Sequence, residues 1–304
     1  MSLRFKKVAV LFGGLSAERE VALRSGRTVI NALSSAGYEV VELDVVDRNL
    51  LLPWLAEHKP DVVFPVLHGR MGEDGVLQGL LEWLGIPFVG SGVMGSAIAM
   101  DKLRSKMIFK ASGVPTPDFV VVRSEADALI HQARLRYPVF VKPVREGSSI
   151  GIGRADNQGE FIAAVSQALS FDTEVLVEQF VDGPEYTVGI VGSEVLPVIG
   201  LKPHARFYDY DAKYVSDDTE YHLPSGLSAE LEAAVQAMSL LAFDALGCSG
   251  WGRVDLMLDA QGALQVLEVN TIPGMTDHSL VPKAARAYGW DLPELMHKLL
   301  ATVK

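Results

Sequence analysis

Hydrophobic positions along the chain fall into short blocks whose spacing keeps changing. Residues 8–12 are an unbroken apolar run and read as a buried strand. From 16 to 36 the apolar residues recur at helical spacing, with Ser16 as N-cap and Gly37 as stop. Strand-like runs return at 39–44, 61–67 and 87–89, separated by helical stretches at 50–57 and 75–84. This alternation predicts a parallel sheet covered by helices, an α/β unit over residues 1–100. A helix over 96–111 follows and stops at Gly113, ahead of Pro115 and Pro117. Strands at 119–123, 139–141 and 175–178 then alternate with helices at 125–135 and 160–169. Helices at 228–246 and 293–303 complete the pattern, and boundaries near 100 and 184 divide the chain into 1–100, 101–184 and 185–304. Residues 202–223 show no period; Tyr208, Tyr210, Tyr214 and Tyr221 are interleaved with Asp and Lys. A loop of that length is usually a functional lid or disordered.

The sharpest pattern has period two. Residues 252–258 alternate, so Arg253 and Asp255 share a face, and residues 265–270 place Glu268 and Asn270 together. Asp259-Ala-Gln-Gly262 reads as the hairpin turn between them. Pairing Asp259 with Gly262 sets Arg253 opposite Glu268 and Asp255 opposite Val266, which brings all four polar groups to one side. Two carboxylates and an amide oxygen make a hard-oxygen site of the kind Mg²⁺ prefers. An adjacent arginine suits a phosphoryl group or a developing oxyanion. A surface hairpin with a polar solvent face would show the same alternation. The next loop carries Gly274, which could bring backbone N–H groups close to a ligand.

Composition narrows the partners. The 304 residues carry a formal charge of −11, which argues against a non-specific nucleic-acid binder. A single cysteine, Cys248, excludes an intrachain disulfide and suits a cytoplasmic protein. Arg4, Lys6 and Lys7 before the first apolar run faintly resemble a signal peptide, but that run is only five residues long. No apolar stretch is long enough for a membrane span.

Several motifs carry candidate chemistry, each beside a plainer reading. Gly90-Ser-Gly92-Val-Met-Gly95 has the dinucleotide-binding spacing but comes after the third strand–helix pair, where a helix-packing turn is the better account. Lys142 ends a strand and precedes Gly147-Ser148-Ser149-Ile-Gly151, a loop able to offer backbone N–H groups to phosphates, or an ordinary turn. Glu178 and Glu185 flank a strand end, where one carboxylate beside a strand edge can read adenine and another can hold a ribose. Glu18 follows a glycine turn into a helix, where acids usually serve the macrodipole but can also take a substrate ammonium. His68 sits just after a strand in the same kind of crevice.

Taken together these stretches resemble the ATP-grasp superfamily and, within it, the D-alanine–D-alanine ligase family of bacterial wall synthesis. The resemblance runs in order through GGLSAERE from Gly13, HGRMGEDG from His68, GSGVMGSAIAMDKLRSK from Gly90 and FVKPVREGSSIGIG from Phe140. It continues through EQFVDGPEYTV from Glu178, the Tyr208–Tyr221 segment, and GRVDLML with LEVNTIPGMTDHSLVPKAA. It implies an N-terminal parallel-sheet, Rossmann-like domain and two α+β domains clamping ATP. It also implies that Lys102, Lys142 and Lys213 contact phosphates under the Ser148–Gly151 loop, Ser149 included. Glu178 and the backbone near Phe180 and Val181 would hold adenine, and Glu185 the ribose. Asp255, Glu268 and Asn270 would bind two Mg²⁺, with Mn²⁺ as a substitute. Glu18 would take the ammonium of the first D-alanine, with His68 nearby, and Ser279 and the Leu280 backbone the carboxylate of the second. Arg253 and the Gly274 amide would stabilise the oxyanion, and Tyr214 would tie the lid to Ser148 and Glu18. The family implies a cytoplasmic homodimer joined through the N-terminal unit.

The chain departs from the family's usual residues at Phe180, where Trp is frequent, and at Leu15, where Thr is frequent. Tyr214 favours dipeptide formation over a D-lactate acceptor, which is the alternative enzyme reading. A nicotinamide oxidoreductase would leave the Asp255, Glu268 and Asn270 cluster without a role, and a regulator with a dead site would lack a ligand that this chain retains.

Overall fold

The computed structural model describes residues 3–202, 220–276 and 278–304. Lys213, Tyr214 and most of the expected lid lie outside the described residues. Among the described residues there are three sheets. The first is parallel, ordered β2-β1-β3, from β1 (Lys7–Phe12), β2 (Glu39–Asp44) and β3 (Val62–Pro65). Val8 to Phe12 of β1 are all buried, which is why that strand reads as a continuous apolar run. Helices α1 (Arg19–Ser35), α2 (Leu51–His58) and α3 (Val76–Leu84) connect and follow these strands. The run at 87–89 contributes only a single bridge, Val63 to Phe88. Helix α1 begins later than Ser16, with Glu18 at the cap position. The Ser16 hydroxyl instead donates to the His68 carbonyl at 2.7 Å, tying two strand-end loops together.

The helix expected over 96–111 is two helices, α4 (Val93–Met100) and α5 (Lys102–Ala111). Asp101 breaks them with extended backbone, and its carboxylate accepts the Arg104 N–H at 2.9 Å. Lys102 therefore opens a new helix. Two glycines of this motif, Gly90 before α4 and Gly95 within it, pack against protein backbone: a Cβ on Gly95 would lie 2.7 Å from the Gly247 carbonyl oxygen, and one on Gly250 would lie 3.1 Å from Gly90. That close approach is the packing-turn reading of the motif and leaves no space there for a pyrophosphate.

The second sheet is antiparallel, ordered β4-β7-β5-β6, from β4 (Phe119–Val122), β5 (Val139–Pro143), β6 (Gly153–Ala155) and β7 (Val175–Gln179). Helices α6 (Glu125–His131) and α7 (Gln158–Leu169) cover one face, with Val139, Val141, Val175 and Val177 in a core with Phe161 and Val165. Side chains alternate along a strand, so Phe140, Lys142 and Glu178 point the other way, into a cleft.

The third sheet is ordered β11-β10-β8-β12-β13, with β9 (Glu194–Val195) paired to β8. Its strands are β8 (Glu185–Val191), β10 (Ile199–Lys202), β11 (Glu220–His222), β12 (Trp251–Leu258) and β13 (Leu264–Asn270). Helix α8 (Ala229–Ala245) adds Val235, Ala242 and Phe243 to a core with Val188, Val254, Leu256 and Val266 of the sheet. Helices α9 (Leu280–Tyr288) and α10 (Leu292–Ala301) close the chain. One core joins Val10 and Phe64 of the first sheet to Trp251, Met275, Leu295 and Leu299 near the end. The Phe64 and Trp251 rings are centred 6.2 Å apart.

Candidate active site

The β12–β13 hairpin carries the centre of the site. Its register differs from the expected one: Arg253 lies opposite Asn270 and Asp255 opposite Glu268. The turn closes one residue later, with the Asp259 N–H donating to the Ala263 carbonyl at 2.9 Å, and a bulge between Asp255 and Leu256 adds a second residue. A shift of two preserves parity, so all four polar groups still share one face. The bulge also lets consecutive Leu267 and Glu268 both line the cleft.

Two cavities meet at this face. The larger, about 460 Å³, lies between the second and third sheets and is lined by Phe140, Lys142, Ser149, Glu178, Phe180, Val181, Glu185, Asp255, Met257, Leu267 and Glu268, among others. The smaller, about 50 Å³, is mostly polar and is lined by Glu18, His68, Glu73, Lys102, Ser148, Arg253, Glu268, Asn270 and Gly274, among others. Glu268 lines both. Asp255 opens on the large cavity and Arg253 on the small one. The guanidinium grips the Asp255 carboxylate with two hydrogen bonds, Nε to Oδ1 and Nη2 to Oδ2, both 2.8 Å. Thr187 Oγ1 donates to Asp255 Oδ1 at 2.6 Å, and Asn270 Nδ2 to Oδ2 at 3.0 Å.

Three loops close around the smaller cavity. Lys102 Nζ donates to the Glu146 carbonyl at 2.5 Å and lies 3.7 Å from Glu268 Oε2, so it links the serine loop to β13. Arg70 pairs with Glu146 at 2.8 Å, linking the loop after His68 to the same point. Ser148 donates to Glu18 Oε1. Ser148 and Ser149 have φ of 47° and 61°, a left-handed conformation that strains non-glycine residues by about 1–3 kcal/mol each. Glu18 is 6% exposed; burial, then the charge of Glu73, raise its pKa above the ordinary carboxylate value. Burial pushes the His68 imidazole down, but Glu73, 3.6 Å from Nδ1, and Glu18 outweigh it and raise its pKa.

The family models described as D-ala D-ala ligase N-terminus and D-ala D-ala ligase C-terminus match residues 53–91 and 108–301. The D-alanine–D-alanine ligase of Ectopseudomonas mendocina (strain ymp) is 53% identical over 297 residues, covering 98% of this chain and 94% of that one. The chain belongs to the D-alanine–D-alanine ligase family. The crystal structure of D-alanine–D-alanine ligase from Bacillus anthracis complexed with ATP aligns with a TM-score of 0.83 at 35% identity, over 98% of this chain and 97% of that one. The VanG D-Ala:D-Ser ligase from Enterococcus faecalis aligns with a TM-score of 0.84 at 33% identity, over 98% and 99%.

Within this family member the structure gathers most of the residues singled out from sequence. Lys102, Lys142, Ser148, Ser149, Glu178, Phe180, Val181, Glu185, Arg253, Asp255, Glu268, Asn270, Glu18, His68 and Gly274 all line one or both cavities. Ser279 and Leu280 line neither. Ser279 precedes α9, its hydroxyl accepting the Thr276 N–H at 2.8 Å, while Leu280 is buried in the shared core. Gly274 sits against Ser279, where a Cβ would come within 2.9 Å of the Ser279 hydroxyl.

Sequence reasoning passed over three side chains. Glu73 lies inside the HGRMGEDG stretch and accepts the Gly69 N–H at 2.8 Å, besides facing His68. Thr187 anchors Asp255, with only its place opposite Asp255 in the sheet to mark it. Lys106 is fully buried and carries a recognisable signal: it falls between Leu103 and Phe109 on the apolar stripe of α5.

Proposed function

We propose that this chain joins two molecules of D-alanine into D-alanyl-D-alanine for peptidoglycan precursors, using ATP, with Asp255, Glu268 and Asn270 as its metal ligands. The observation that carries this reading is the shared wall at Glu268. A cleft of nucleotide size and a small polar chamber open on one acid–arginine cluster, so a phosphoryl group can pass from one to the other. Residues near 100 and 184 would divide the chain into three domains, the second and third clamping ATP. The apolar wall of Phe140 and Phe180 suits a purine, Glu178 its exocyclic amine, and Glu185 a ribose hydroxyl.

The donor set fits Mg²⁺: two carboxylates and one amide on one sheet face, with a guanidinium neutralising Asp255 in the place of a cation. When bound, Mg²⁺ would neutralise charge on the β- and γ-phosphates. The protein groups do the rest by positioning. Lys102 and Lys142 draw the phosphates toward Glu268, and Glu18, aided by Ser148, holds the ammonium of the first D-alanine. An oxygen of that carboxylate attacks the γ-phosphorus, and ADP leaves. The neutral amine of the second D-alanine then attacks the acyl carbon, and inorganic phosphate departs with the carboxylate oxygen and the proton that the amine loses. Arg253, released from Asp255, and the Gly274 N–H stabilise the oxyanion of that second step. Lys213, Tyr214 and the 202–223 lid would exclude water from the acyl phosphate.

A second copy of the chain is proposed to cover α3 and α4, where Val76, Leu84, Val93, Met94 and an 89% exposed Trp83 form an apolar face. No described helix is long and apolar enough to cross a membrane, and the cytoplasm, with its ATP, is the proposed location. The test is ADP release from Mg·ATP with D-alanine, L-alanine, or D-alanine plus D-lactate, with products identified by mass. D-alanine-dependent release with the dipeptide as product is expected. Release without D-alanine dependence would overturn the assignment.

A further inference from the structure

Lys106 is a buried charge that the ligation chemistry leaves without a role. It projects from the apolar stripe of α5 and is 1% exposed. Its Nζ lies 2.5 Å from Glu178 Oε1 and donates to Thr116 Oγ1 at 2.6 Å. Thr116 in turn donates to the Val266 carbonyl at 2.8 Å, which links the pair to the third sheet. Lys142 pairs with the other oxygen of Glu178. Glu178 and Lys142 line the large cavity, whereas Lys106 stands behind them, outside its lining. An apolar side chain would pack on this stripe without the several kcal/mol that desolvating an ammonium costs.

Two ammonium groups on one carboxylate exceed what neutrality requires. The excess has a use if one of them is handed to a ligand. We propose that Lys106 is a positioning residue that holds Glu178 ionised from behind, so that Lys142 can turn to the nucleotide phosphates while Glu178 accepts the 6-amino group of adenine. An ionised carboxylate only accepts hydrogen bonds, so it rejects a purine bearing a 6-oxo group. Without Lys106, engagement of Lys142 would leave a bare buried carboxylate, which takes up a proton and can then donate to a 6-oxo group. The charges acting on this centre come from every side. Lys106 on α5 and Lys142 on β5 pair with Glu178, Glu268 on β13 acts on both lysines, and Glu185 on β8 acts on Lys142. Burial alone would raise the Glu178 carboxyl, but the two lysines hold it at about 2.

The proposal rests on the ATP reading above, so its test is nucleotide binding rather than turnover. Calorimetric titration of the full chain with Mg·ATP and with Mg·inosine triphosphate is compared for wild type, Lys106→Met and Lys106→Gln, with circular dichroism to verify folding. Lys106→Met is expected to weaken ATP binding roughly 10- to 100-fold, the worth of a hydrogen bond to a charged group, and inosine triphosphate binding less. Raising the pH should restore part of the lost ATP affinity in the variant, because Glu178 ionises again, and should leave the wild-type preference unchanged. Lys106→Gln keeps a donor without the charge and should show the same narrowed preference, which carries the test if the methionine variant does not fold. An unchanged ATP preference in a folded variant, or equal losses for both nucleotides, overturns the proposal. Equal binding of the two nucleotides by wild type overturns it as well. Wild type that binds neither nucleotide overturns the ATP reading itself.

Discussion

Glu268 is the side chain on which both cavities converge, so replacing it separates chemistry from architecture. Glu268→Gln keeps the shape and removes the charge. Turnover is expected to fall by roughly 10²- to 10³-fold with an unchanged melting temperature. Turnover near the wild-type rate would remove Glu268 from the metal set. Gly274→Ala forces a Cβ to 2.9 Å from the Ser279 hydroxyl and should raise the KM for the second D-alanine more than that for ATP, as read from initial rates. Glu178 gives a pH signature. Its folded pKa of about 2 lies below the ordinary 4.5, so its ionisation stabilises the fold above about pH 4.5. That contribution is lost as the pH falls toward 2. In denaturant unfolding, the advantage of wild type over Glu178→Gln should shrink across that window. At this scale the sequence was informative where charged residues kept a strand's period-two alternation, as at Asp255 and Glu268. Glu73 escaped because an acid in a loop is an ordinary surface residue until burial is known, whereas Lys106 was marked by its place on the apolar stripe of α5.

Among the elements, the break at Asp101 sets where Lys102 enters the small chamber. Asp101→Ala removes the cap of α5 and should cost about 1 kcal/mol, measured by denaturant unfolding. It should also raise the KM for ATP, because Lys102 is the first residue of that helix. The break was hidden in the sequence: apolar spacing continues through Met100 and Leu103, and only a capping aspartate marks it. The hairpin was legible in a different sense. Side-chain alternation reports the face of a strand, not its partner, so four polar groups were placed together while the pairing was off by two. Strands β6 and β8 to β11 and helix α9 were unread, and β11 falls inside the stretch 202–223 expected as a loop. Gly153 to Ala155 is too short to show a period, and α9 begins with Leu-Val-Pro, which resembles a loop or a strand as much as a helix.

For the whole molecule, the core shared by the first sheet and the chain's end makes the small chamber a product of two units. Its walls come from Glu18 and His68 on one side and from Arg253 and Gly274 on the other. Trp251→Ala should cost about 3–5 kcal/mol and lower a single common melting transition, checked by calorimetry. Two separated transitions would show the units to be independent. The β-α alternation of residues 1–100 announced a parallel sheet, but nothing in the local pattern announced that its far side is buried by helices near residue 290.

The central claim is that the carboxylate of one D-alanine takes the phosphoryl group before the peptide bond forms. Ligation with D-alanine bearing ¹⁸O in both carboxylate oxygens tests it directly, with the released phosphate and the dipeptide analysed by mass. The mechanism predicts one ¹⁸O in each phosphate released, with the new peptide carbonyl keeping one ¹⁸O and the terminal carboxylate keeping both of its own. Dipeptide formed with unlabelled phosphate would contradict an acyl phosphate intermediate and the roles assigned to the residues around Glu268.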